Sequence, residues 1–234
     1  MDVVDIAILL LIAMGAVTGF KQGGFHRLTT FIGTILVFAV SWAFKDTLAA
    51  FIYEYVPFIN FSGEFLGLDS LNILFYELVS FAVIFATLTL ILRVLLVVTG
   101  LIEKLLKMTI FLAIPSKLLG ILIGALEAYF YVFLALIVLN LPFLNLTIIK
   151  ESKVANFMLN NTLILSNVSE KFVNTYDSVH NIVKNKDNTT QTEINEQIVI
   201  IFLENRVISV ENLEKLINKN KITINNKNIL DKYR

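Results

Sequence analysis

Two ionisable residues inside long apolar runs are the informative charges. Arg93 lies in the run 71–99 and Glu127 in PSKLLGILIGALEAYFYVFLALIVLNLP, residues 115–142. Glu77, near the start of 71–99, reads as a solvated group at the outer interface, and Asp5 lies near the start of the first run. A charge at hydrocarbon depth is costly and needs a counter-charge, a polar group or water. If the two runs are antiparallel helices, Arg93 lies about 9 Å and Glu127 about 14 Å from the same end, and an arginine side chain covers the difference. Arg93 and Glu127 are therefore a candidate intramembrane ion pair. The competing reading has Arg93 snorkelling to the surface while Glu127 is neutral or faces a lumen.

Other chemistries lack their residues. There is no cysteine, which removes disulfides, thiol nucleophiles and thiolate zinc sites. The two histidines, His26 and His180, fall in different regions of the chain. No phosphate-cradling Gly-Lys-Ser/Thr loop, HExxH or Gly-x-Ser-x-Gly motif occurs. Asp5 has no second aspartate at matching depth for an aspartyl protease, and His26 falls in a turn rather than a span. These residues predict a protein that is not an enzyme and holds no cofactor or metal.

The elements that carry the charges are membrane helices by composition. The 234 residues are 56% hydrophobic and 16% charged, with a mean hydropathy of +0.76. Soluble domains run at roughly 45–50% apolar and about 25% charged. Zero net charge argues against a nucleic-acid partner. The lipid bilayer is the first partner implied. Composition shifts near residue 142, which divides the chain into a membrane domain, 1–142, and a polar tail, 143–234. The fold expected is all-α: an integral membrane protein with four transmembrane helices plus a C-terminal helical tail.

The spans read as Val3–Phe20, Leu28–Phe44, Leu71–Thr99 and the run between Pro115 and Pro142. Asp2 and Asp5 make the N-terminus acidic, against a cleaved signal peptide. The connection Lys45–Ser70 is acidic and aromatic, and its TLAAFIYEYV stretch reads equally as an interfacial helix or as a loop. Residues 104–117 suit a short amphipathic or re-entrant piece. Lysine and arginine gather at Lys21, Arg27, Lys104, Lys107 and Lys117, which puts the first and third connections in the cytoplasm and both termini outside.

Small residues recur at intervals of four: Ser116, Gly120, Gly124 and Ala128 in the fourth span, and Gly15, Gly19 and Gly23 in the first, with Ala7 two intervals before Gly15. Such stripes let helix backbones approach where packing drives association. Gly15, Gly19, Gly120 and Gly124 are the expected helix-packing residues, the first-span stripe being a possible counterpart of the fourth, and other membrane proteins or a second copy are the partners expected. In the tail, Met158, Leu165, Phe172 and Val179 repeat every seven residues as one amphipathic helix. Thr190 and Glu193 match a capping box opening a second, Ser209 caps a third, and the last dozen residues look frayed.

Together, these features resemble the colicin V production (CvpA) family of bacterial inner-membrane proteins. The likeness, over roughly residues 1–142, rests on Asp5, on Gly19-Phe20-Lys21-Gln22-Gly23-Gly24-Phe25 with Arg27, and on Leu119-Gly120-Ile121-Leu122-Ile123-Gly124-Ala125. The family motif residues are thus Asp5, Lys21, Gly24 and Arg27. Glu127 departs from the pattern, since the family often has a basic residue there. The resemblance implies a multi-pass protein of the bacterial cytoplasmic membrane associated with toxin (bacteriocin) production or export and envelope physiology, working through partner proteins. The alternative class is an oligomeric small channel or transporter with Glu127 and Arg93 near the pathway.

Overall fold

The apolar runs form helices because nothing interrupts them until a glycine or proline does. In the computed structural model, residues 2–106, 113–140, 147–161, 175, 178–184, 189–225 and 227–234 are described. They form α1 (Val3–Gln22), α2 (Gly24–Tyr55), α3 (Leu71–Leu106), α4 (Ala113–Leu139), α5 (Thr147–Glu151), α6 (Lys153–Asn161), α7 (Gln191–Glu204) and α8 (Val210–Asn218), with 3₁₀ turns at Gly63–Phe65 and Lys227–Lys232. The described residues are all helix, turn or irregular chain, and α1 to α4 each include a stretch long and apolar enough to cross a membrane. Gly23 alone separates α1 from α2. Its φ of 82° is open to glycine at little cost, and its N–H still donates to the Gly19 carbonyl at 2.9 Å.

One expectation is corrected at the end of α2. TLAAFIYEYV is neither an interfacial helix nor a loop but the continuation of α2 to Tyr55. No breaker stands between Phe44 and Tyr55, Ala49 and Tyr53 are buried at one-turn spacing, and Pro57 then ends the run. Residues 107–112, the middle of the suggested amphipathic or re-entrant piece, lie outside the described residues, as do 162–174 of the seven-residue repeat.

The residues group into two compact units, and the grouping cuts across the expected border at 142. One comprises residues 1–40 and 85–169, and so holds α1, α4, α5 and α6 with parts of α2 and α3. Its outer surface is apolar: Val3, Met14, Leu90 and Leu122 are all more than half exposed. A surface of this kind suits lipid as solvent. Inside, Ile8, Val132, Phe133 and Leu136 pack with Ile149, Ala155, Met158 and Leu159 from α5 and α6. Phe38 meets Phe130 edge-on at 5.5 Å.

The other unit comprises residues 41–84 and 170–234. Its buried apolar side chains include Leu71, Ile73, Ile198, Phe202, Leu213 and Leu216, while Phe51, Tyr55 and Leu66 are exposed. The Thr190–Glu193 capping box forms: the Thr190 hydroxyl accepts from Glu193 N–H, while the Glu193 carboxylate accepts from Thr190 N–H at 2.9 Å. Those bonds hold the Glu193 carboxyl below its usual range. Ser209 caps α8. The final residues are not frayed: Ile222, Ile224 and Leu230 are buried. Lys221 explains part of this. Its ammonium donates to the Tyr53 and Val56 carbonyls, the unsatisfied acceptors at the end of α2, where the helix dipole also favours a cation. Burial pulls the Lys221 pKa down.

At the centre of this unit, Lys45 donates to Glu77 at 2.8 Å, to Asp46 at 2.5 Å and to the Val207 carbonyl at 3.2 Å. The Tyr53 hydroxyl donates to the other Glu77 oxygen at 2.8 Å. Removing one member of a buried pair leaves the other uncompensated. Lys45→Met is therefore expected to destabilise the protein by about 3–5 kcal/mol. Adding Glu77→Gln should recover part of that loss, which thermal unfolding in detergent would measure as coupling between the two sites. Equal destabilisation by the single and double variants would show that the pair is not what matters.

Candidate functional site

Four glycines bring α1 and α4 together, running antiparallel. A Cβ added at Gly15 would lie 2.5 Å from the Gly124 carbonyl oxygen, and one at Gly19 would overlap the Gly120 carbonyl outright. Reciprocally, Cβ atoms at Gly120 and Gly124 would overlap the carbonyls of Gly19 and Gly15. The two small-residue stripes thus meet each other within one chain, backbone against backbone. At such separations dispersion and weak Cα–H···O contacts replace side-chain interdigitation.

The start of α2 closes onto the same helix. The Gly24 N–H donates to the Ser116 hydroxyl at 3.1 Å, and a Cβ on Gly24 would lie 2.7 Å from that of Leu119. Because α2 begins at Gly24, Arg27 is a helical residue on its first turn, not a member of a loop. It reaches Glu127, with 2.6 Å between Nη1 and Oε2, and its Nη2 donates to the Thr18 hydroxyl at 2.5 Å. Both charged side chains are largely enclosed, at 13% and 7% exposure. Arg27 Nε is buried without a hydrogen-bond partner among the described residues.

This corrects the expected pairing of Arg93 with Glu127. The acid goes to Arg27, and Arg93 is exposed on α3. Arg27, read as part of a turn, instead opens α2 and reaches the acid, while the facing of α3 keeps Arg93 away. Leu92 is the residue that meets α2, at Gly33, which leaves its neighbour Arg93 on another side of the helix.

Asp5 acts at the opposite end of α1. It is 2% exposed, and its carboxylate accepts from the Ser152 hydroxyl at 2.6 Å, the Val154 N–H at 3.1 Å and the Asp2 N–H at 3.2 Å. Val154 is the second residue of α6, so Asp5 supplies an acceptor and a negative charge where that helix exposes free N–H groups. Lys21 is exposed, and near it Lys117 lies over the Phe20 ring at 5.5 Å. Of the four motif residues, Asp5, Gly24 and Arg27 all join the first hairpin to α4 or α6.

Several partners had no legible signal as hydrogen-bonding groups, although Ser116 belongs to the small-residue stripe. Thr18, Ser116 and Ser152 are ordinary residues until the fold places them opposite Arg27, Gly24 and Asp5. Among the described residues no group of three His, Asp or Glu could hold a metal ion.

Comparison with protein-family models matched residues 4–163 to the family described as Colicin V production protein. Comparison with curated proteins gave no match, nor did comparison with solved structures.

Two variants test the geometry. Gly19→Leu must push α4 away from α1 and is expected to cost about 3 kcal/mol or more, read as a lower melting temperature in detergent with membrane insertion retained. An unchanged melting temperature would mean that the contact carries no load. For the ion pair, Glu127→Gln and Arg27→Gln should each destabilise, while Arg27→Glu combined with Glu127→Arg should be more stable than either charge-reversed single variant. Additive effects across that cycle would show no coupling.

Proposed function

Because the chain belongs to the Colicin V production protein family, we propose that it is a non-catalytic component of the bacterial cytoplasmic membrane that supports production or export of a peptide toxin through partner proteins. One observation carries this reading. The family match covers α1 to α4, and within it Asp5, Gly24 and Arg27 are engaged in joining helices. Polar groups that would serve a reaction are thus committed to architecture, which leaves function to surfaces. The channel reading needs Glu127 free to face a path, whereas its carboxylate is held by Arg27.

Orientation follows the basic end. Lys21, His26, Arg27 and Lys117 cluster where α1 ends and α2 and α4 begin, and the positive-inside rule puts that end in the cytoplasm with both termini outside.

Deleting the gene from a toxin-producing host should abolish toxin activity in the medium, with restoration by the wild-type chain but not by Gly19→Leu. Unchanged toxin release in the deletion strain would refute the role. A reporter that is active only outside the cytoplasm, fused after Arg234, should be active. Activity only of a cytoplasmic reporter at that position would reverse the topology.

A further inference from the structure

Arg93 lies inside an apolar span with no described residue to answer its charge. It is exposed, and among the described residues it has no hydrogen bond or ion pair. Leu92 touches Gly33, which lies seven residues beyond His26, the start of the second apolar span. Arg93 is therefore about 10 Å in from that end of the span. Along its own helix it stands ten residues, about 15 Å, before Glu103. Both estimates put it within a hydrocarbon core of roughly 30 Å.

Snorkelling answers this poorly. Cα–Cβ bonds in a helix tilt toward its N-terminus, so the Arg93 side chain starts out directed toward the Leu71 end of α3, away from the nearer surface. Its surroundings on α3 are an exposed, largely apolar face that contains one seam of helix-packing spacing. Ala86, Leu90, Arg93 and Val97 are all exposed and recur at intervals of four, three and four. That is the spacing with which one helix receives another.

Among the described residues, the spans of a second copy offer no free carboxylate. Every Asp and Glu within the four spans is already engaged: Asp5 by Ser152, Asp46 and Glu77 by Lys45, Glu54 by Lys219, and Glu127 by Arg27. Two facing copies of the seam would also set arginine against arginine.

We propose that the α3 face carrying Ala86, Leu90, Arg93 and Val97 docks a transmembrane helix of a different membrane protein, and that this helix presents a carboxylate to Arg93. The proposal deepens the partner-based reading above but does not need the toxin role. Docking without any effect on toxin release would refute that role alone.

The test uses the full-length chain in native membranes with a photoreactive residue in place of Val97. The expected result is an adduct mapping to a transmembrane segment of another protein that contains Asp or Glu. Its yield should fall at least about tenfold with Arg93→Leu and be largely kept with Arg93→Lys. Replacing the mapped acid by arginine should abolish the adduct, and combining that change with Arg93→Glu should restore it. Adducts to lipid alone would make a phospholipid headgroup the occupant, and adducts between two copies would make the face a homodimer contact. Either result, no adduct, or a yield indifferent to Arg93→Leu overturns the proposal.

Discussion

The contact between the α1 and α4 backbones is the constraint from which the rest of their unit follows. In lipid, apolar side chains gain little by leaving their solvent, so association depends on how closely two helices can come. Gly15, Gly19, Gly120 and Gly124 face one another with no side chain between their backbones, and the Ala128 methyl lies beside Gly15. That proximity sets the register in which Ile8 meets Val132 and Phe133, and it leaves Asp5 near the first turn of α6. At the other end it places α4 where Arg27 can reach Glu127.

The charged groups enclosed among the described residues follow one pattern. Each is given a partner from a distant part of the chain, so that satisfying it also fixes an element. Asp5 holds α6, Arg27 holds α4, and Lys45 with Glu77 ties α2 to α3 and to the Val207 carbonyl. Buried pairs of this type add little net stability over apolar packing, but breaking one is severe, so they act mainly on which arrangement is adopted.

Much of the architecture is legible in the residues. Hydropathy and length identify the apolar helices, and four-residue spacing marks the glycine stripes. Thr190 and Ser209 announce α7 and α8 through local capping chemistry. What sequence could not assign was facing. Depth pointed to Arg93 as the partner of Glu127 and left Arg27 in a turn; the start of α2 at Gly24 brings Arg27 to the acid, and Leu92 toward Gly33 leaves Arg93 on another side of α3. Nor could hydropathy distinguish two kinds of burial within one helix. Leu71 to Leu74 are enclosed by protein, whereas Leu90, Ile91 and Val94 are exposed on the same helix. A transfer scale scores both alike, because lipid and a protein core are similarly apolar. The end of α2 and the start of α3 group with α7 and α8 in one compact unit, which hydropathy along the chain does not show.

The α1–α4 crossing also has a consequence for how the chain is made. Gly19 and Gly120 are about a hundred residues apart, so α1 leaves the ribosome long before its partner exists. During synthesis at roughly 5–20 residues per second, that interval lasts several seconds. Throughout it the first hairpin stands in the membrane with its glycine face open and Arg27 without Glu127. Assembly of the bundle is thus timed by the arrival of α4, and the hairpin has to be held by the insertion machinery or remain a separate membrane-resident intermediate until then.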